Sequence, residues 1–173
     1  MRKELDDKLC AAFPLLYADR RGDIHQTAMA WGFDCGDGWF DLIWDMSAKL
    51  EEEIKKEVRS DICGYCSCGR LIHEGDGSLG KCKEVFGSPE GKFGERKCCC
   101  TGFVPYHPRA SQLKEKFGAL RLYMTSQTEA MEAIIREAEE RSAITCEVCG
   151  QSGKISGRGW SSCLCDECRG EKP

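Results

Sequence analysis

The chain has 173 residues, of which 14 are cysteine; 41% are hydrophobic, 31% are charged, and the formal net charge is −4. This composition supports a packed core and excludes a disordered or collagen-like chain. The acidic balance argues against bulk attraction to nucleic acid, and no apolar run reaches the ~18 residues that a membrane-spanning helix needs.

No apolar run follows the basic pair Arg2 and Lys3, so no signal peptide is read and the cytoplasm is the expected compartment. Residues 3–13 read as a short helix, with Leu5, Leu9 and Phe13 spaced by four; Pro14 disturbs it. The stretch Met29 to Phe40 is rich in aromatic residues and glycine. Asp37 is expected to cap a long helix running to about Arg59. Its apolar stripe is Phe40, Ile43, Trp44, Ser47, Leu50, Ile54 and Val58. Lys49, Glu52, Glu53, Lys56 and Arg59 form the solvated face. Asp34, Asp37, Asp41 and Asp45 lie close in sequence. A hard cation is one use for them; favourable charge at a helix N-terminus is the reading adopted.

Residues 61–101 form a cysteine-rich insert. Cys63, Cys66 and Cys68 open it, Cys82 lies inside it, and Cys98, Cys99 and Cys100 close it. Its many glycines deny it a conventional core, so a bound metal is expected to supply the folding energy. Cys63 and Cys66, with two of Cys82, Cys98, Cys99 and Cys100, are the leading ligand set. His73 and His107 are candidate nitrogen ligands. The spacing leaves open one ion with spare thiols or two ions with a histidine. Residues 81–121 carry nine basic and four acidic side chains. They can meet phosphate or an acidic protein, or simply balance the thiolates of a metal site.

Beyond the insert, residues 102–106 read as an edge strand or loop. Residues 112–124 read as a β-hairpin turning at Phe117-Gly118. Leu120, Leu122 and Met124 share one face; Arg121 and Tyr123 share the other. Ser126 to Glu129 reads as a capping box that starts a helix ending near Ser142. Ala130, Met131, Ile134, Ile135 and Ala138 are its expected buried stripe.

The tail carries Cys146-Glu-Val-Cys149-Gly150 and, fifteen residues after Gly150, Cys165-Asp-Glu-Cys168. A CxxC loop turns both sulfurs toward one ion, and two such loops supply four thiolates. A zinc ribbon is therefore expected, with Cys146, Cys149, Cys165 and Cys168 as ligands. Cys163 is read as a bystander that replaces Cys165 only if the register shifts by two. At least one more zinc is expected in the 63–100 cluster. A reducing cytosol disfavours disulfides as the alternative.

The expected fold is α+β: a small β-hairpin or sheet packed by two main helices, a cysteine-rich zinc-binding insert and a C-terminal zinc ribbon. Its parts are residues 1–60, 61–101, 102–144 and 145–173. Catalytic motifs are missing. The chain has no GxSxG, P-loop or HExxH, and no H-x-E with PCxxC of a zinc deaminase. Residues 146–168 contain no histidine, which argues against an HNH-type nuclease. A four-thiolate zinc is coordinatively closed and structural. No enzyme and no small-molecule substrate are expected.

Three segments together resemble a family of uncharacterised bacteriophage and prophage-encoded proteins. They are Trp31 to Ile43, similar to the family's GDGWF-x-L-I segment; Gln112 to Tyr123, similar to its QVKEKFGGLRFY signature; and Thr145 to Gly150 with Leu164 to Cys168, similar to its TCEVCG and LCD-x-[HC] tail. The resemblance covers roughly the chain outside residues 60–100. The family often has His where this chain has Cys168, and the insert here is longer than the family pattern. The resemblance implies a phage accessory protein in the bacterial cytoplasm and implies no known activity. The function expected is therefore that of a zinc-stabilised protein binding a macromolecular partner, a host defence protein being the leading class. Trp31, Trp39 and Trp160 are candidate anchors, with a place in the core as the alternative for Trp39. A nucleic-acid-binding zinc-ribbon module is the second expectation. Lys92, Arg96, Lys97, Arg158 and Trp160 are the candidate partner-binding residues.

Overall fold

The computed structural model describes residues 1–22, 24, 25, 27–63, 85, 86, 96, 97, 105–157 and 161–170, with the backbone alone at 60–63, 85, 86, 96 and 97. In chain order the elements are α1 (Lys3–Ala12), β1 (Phe33–Asp34), α2 (Phe40–Lys56), β2 (Arg59–Cys63), β3 (Val85–Phe86), β4 (Arg96–Lys97), β5 (Pro105–Tyr106), β6 (Ala110–Lys116), β7 (Ala119–Met124), α3 (Glu129–Ser142), β8 (Lys154–Ser156), β9 (Ser162–Leu164) and α4 (Asp166–Arg169). The mixture is α+β. The chain divides into two compact units, Met1–Lys56 with Pro108–Pro173, and Glu57–His107. The C-terminal segment expected as a separate part belongs to the first unit.

In the first unit, α1 buries Leu9, and Phe13 follows it into the core. Asp37 does not cap α2. Its carboxylate accepts the Arg2 amide at 2.7 Å and Arg2 Nε at 2.7 Å, so it serves the start of α1 instead. A short 3-10 turn at Asp37–Trp39 leads into α2. Lys55 and Lys56 in the last turn of α2 complement its dipole.

The buried arc of α2 is Leu42, Ile43, Met46, Ser47, Leu50, Glu51 and Ile54. Trp44 and Val58, expected in the stripe, are 37% and 38% exposed. Trp44 instead lies edge-on to Phe13, with ring centroids 4.9 Å apart. Glu51 takes an inward place because of partners from a distant segment. After Pro14 breaks the helical pattern, the amides of Leu15 and Leu16 donate to its two carboxylate oxygens at 3.0 and 2.9 Å. Ser47 is buried against the hydroxyl of Tyr17 at 2.6 Å. Glu51→Gln turns one of those oxygens into a donor facing a donor. It is expected to cost about 1–3 kcal/mol, read by urea denaturation.

The sheet of this unit has the order β1-β6-β7. β6 and β7 form the antiparallel hairpin, with Leu113 opposite Leu122 and Lys116 opposite Ala119. Its two-residue turn holds Phe117 at φ 58° and Gly118 at φ 82°, the left-handed pair that matches the strands' twist. Leu113, Leu120 and Leu122 face inward. β1 pairs parallel to β6, Phe33 opposite Leu113.

α3 lies on β7, and α2 packs along α3. The cap of α3 is Thr128, not Ser126: Thr128 Oγ1 accepts the Met131 amide at 3.3 Å. This start faces Met131, Ile135 and Ala138 inward and leaves Ala130 exposed, contrary to the expected stripe. The helix closes on Ser142, whose Oγ accepts the Leu120 amide at 2.8 Å and donates to Glu139 O at 2.6 Å.

In the second unit, β2 pairs antiparallel with β5, and β3 pairs antiparallel with β4. Cys63 lies on β2 and Arg96 and Lys97 on β4, each placed by backbone alone. His107 is buried, its Nδ1 3.3 Å from Pro105 O.

Candidate metal centre

The first cysteine pair forms where α3 ends. Thr145 bridges to Ser152, and the Cys146 amide donates to Gln151 O at 2.7 Å. The chain then folds back, the Gly150 amide donating to Cys146 O at 2.9 Å. That turn holds Gly150 at φ 78°, a conformation glycine adopts without strain. The second pair follows the β8–β9 hairpin, in which Ile155 faces Cys163. Cys165 precedes α4, and its Sγ accepts the Cys168 amide at 3.4 Å. α4 ends on Gly170 at φ 76°.

The result is one cluster: the sulfurs of Cys146, Cys149, Cys165 and Cys168 all lie within 4.8 Å of one another. Cys149 Sγ and Cys165 Sγ are 3.6 Å apart. A disulfide needs about 2.05 Å. Sulfurs at two corners of a tetrahedron around an ion at about 2.3 Å stand about 3.8 Å apart. The observed spacing fits a shared ion. Among the described residues this is the one group of three or more Cys, His, Asp or Glu side chains so gathered.

Local electrostatics point the same way. Burial works to raise the Cys146 thiol, but the amides of Cys165, Cys149 and Val148 outweigh it and bring it down to about 6. The Gln151 amide lowers Cys149, yet burial and the sulfurs of Cys146 and Cys165 carry it above the ordinary thiol value. Cys168 is pushed up by the sulfurs of Cys165 and Cys149. Packed together, these groups cannot all ionise unless a cation neutralises them.

The remaining described cysteines are unlike these. Cys163 is fully buried on β9, its Sγ 3.2 Å from Ala143 O, and burial raises its thiol. It stands outside the quartet. Burial lifts both Cys10 and Cys35 to about 12, which makes them inert thiols. The aspartate run does not assemble a cation site either: Asp37 is taken by Arg2, and Asp45 pairs with Arg141 at 3.2 Å.

Three other residues belong to the site, and the sequence reading did not find them. The Gly36 amide donates to Glu147 Oε1 and the Gly38 amide to Glu147 O, both at 2.8 Å. Trp39 Nε1 donates to Thr145 O at 2.8 Å. Trp39 is fully buried, so it is no partner anchor; its ring fills the core and its N–H fixes the approach to Cys146. Two glycines flanking Asp37 were the available signal. They mark a close approach by another backbone.

Trp31 is 75% exposed. Cys66, Cys82, Cys98, Cys99, Cys100, His73, Lys92, Arg158 and Trp160 lie outside the described residues. The side chains of Cys63, Arg96 and Lys97 do as well. No described helix is long and apolar enough to cross a membrane. Compared with protein-family models, with curated proteins and with solved structures, the chain matches none.

Proposed function

We propose that the chain is a non-enzymatic, zinc-stabilised accessory protein of bacteriophage type, which binds a protein of the bacterial host in the cytoplasm. A defence protein is the leading class of target. The four-sulfur cluster carries this reading. Two CxxC loops at tetrahedral spacing suit zinc, and four protein ligands leave that ion no open position for a substrate. In this reading the tail is a zinc ribbon whose metal holds structure together. A second zinc among Cys63, Cys66, Cys82, Cys98, Cys99 and Cys100 belongs to the proposal on spacing alone.

Trp31 supports the binding role. Its indole projects from a segment fastened on both sides: Arg20 Nη1 donates to Ala30 O at 2.9 Å, and the Met1 amine donates to Phe33 O at 3.1 Å. An exposed tryptophan on a held backbone leaves only its side-chain freedom to be lost when a partner covers it. The nucleic-acid alternative draws less support. Of the basic residues at 81–121 with described side chains, Arg109 pairs with Asp19 at 2.8 Å and Arg121 with Glu139 at 3.3 Å. Lys114 and Lys116 lie over the rings of Tyr123 and Phe117.

Affinity capture from host lysate, followed by titration of the captured protein, tests the reading. One stoichiometric protein is expected. Trp31→Ala is expected to weaken its binding by about 2 kcal/mol, roughly 30-fold, while stability stays within about 0.5 kcal/mol. Capture of nucleic acid alone, or of no stoichiometric protein, contradicts it.

A further inference from the structure

We infer that the Gly36–Trp39 loop is the outer shell of the metal centre: it positions the first cysteine pair, so that metal affinity and the seating of this loop are one equilibrium. This rests on the metal reading above.

The contacts are close, and each has main chain on at least one side. The three hydrogen bonds from Gly36, Gly38 and Trp39 reach Thr145 and Glu147, the residues on either side of Cys146. A Cβ on Gly38 would stand 2.4 Å from Cys146 O, 2.5 Å from the Gly150 nitrogen and 2.7 Å from the Cys149 nitrogen. One on Gly36 would stand 2.3 Å from Glu147 O. Neither glycine has a positive φ. Their lack of a side chain therefore serves the approach and not the conformation. The atoms they touch are the main chain of the CxxC turn, which cannot swing aside as a flexible side chain would.

The far side of the loop is fixed as well. Trp39 is fully buried in the core, Arg2 holds Asp37, and the Met1 amine holds the carbonyls of Phe33 and Cys35. The loop thus transmits the position of the core to Cys146 and Cys149. Linkage requires the reverse to hold: an ion that fixes the turn also fixes the loop. Supporting groups around a metal typically change its affinity 10–100-fold when altered.

Competition against a chromophoric chelator, with Zn²⁺ and with Co²⁺, tests this. Gly38→Ala is expected to bind 10–100-fold more weakly. The fraction it loads should keep the four-sulfur cobalt spectrum. Trp39→Phe keeps a smaller aromatic ring in the core, loses the N–H donor and should shift affinity in the same direction. Leu9→Ala destabilises the core at α1 and should leave metal affinity within about twofold. In the wild-type chain, amide exchange at Gly36 and Gly38 should accelerate when metal is withdrawn. Wild-type affinity in both loop variants, an equal loss in Leu9→Ala, or unchanged exchange at the two glycines overturns the inference and leaves the metal reading standing. A wild-type chain that takes up no metal overturns both.

Discussion

Cys146→Ser is expected to lose one metal ion per chain and to destabilise the first unit by at least about 3 kcal/mol. Cys146 is fully buried, whereas Cys165 and Cys168 are half-buried and Cys149 is exposed. A serine there supplies a harder, shorter ligand and breaks a four-thiolate set. Structural zinc contributes on the order of 10–16 kcal/mol of apparent binding energy in small zinc peptides. Here the first unit has its own hydrophobic core, so the loss is smaller than that. At about 2–4 °C per kcal/mol, the Tm should fall by roughly 6–12 °C. Calorimetry with elemental analysis reads both numbers. Cys163→Ser is the matched control. Its sulfur lies against Ala143 O and outside the cluster, so the metal content should not change. An equal loss of metal in both variants would restore the shifted register, with Cys163 as ligand.

Trp39→Ala should be the costliest single substitution outside the cysteines. The indole is fully buried, and truncating a buried tryptophan costs about 3–5 kcal/mol. Loss of the Nε1 donor also leaves Thr145 O, next to Cys146, without that partner. Denaturant unfolding should show a lower midpoint with little change in slope. Trp39→Phe should recover most of the loss, because packing is the larger part. If Trp39→Ala and Trp31→Ala have equal and small effects, the buried placement of Trp39 is wrong.

Local pattern made several features legible. The four-residue spacing puts Leu9 and Phe13 in the core and the alternation puts Leu120 and Leu122 there, while Leu5 and Met124 of the same two patterns are half-buried. The CxxC spacing is local too and pairs the sulfurs within each loop; the β8–β9 hairpin between the loops brings the two pairs together. What stayed hidden depends on contacts distant in sequence. β1 is two residues long and pairs with a strand about eighty residues away. Glu51 stands beside Glu52 and Glu53, and nothing local marks it as the one that turns inward. Its partners, Leu15 and Leu16, come from a different segment. Ser126 and Thr128 are equally good caps by type. The choice falls to Thr128, whose start turns Met131, Ile135 and Ala138 toward the core. Gly36, Gly38 and Trp39 look like a flexible aromatic loop until the turn at Cys146 is brought against them.

Elemental analysis and thiol counting on the chain purified without chelator test the central claim most directly. The expected result is at least one zinc per chain, one fewer in Cys165→Ser, with the tail thiols unreactive until a chelator is added. A folded, metal-free chain with Cys149 and Cys165 joined as a disulfide, or with all four tail thiols freely reactive, contradicts it.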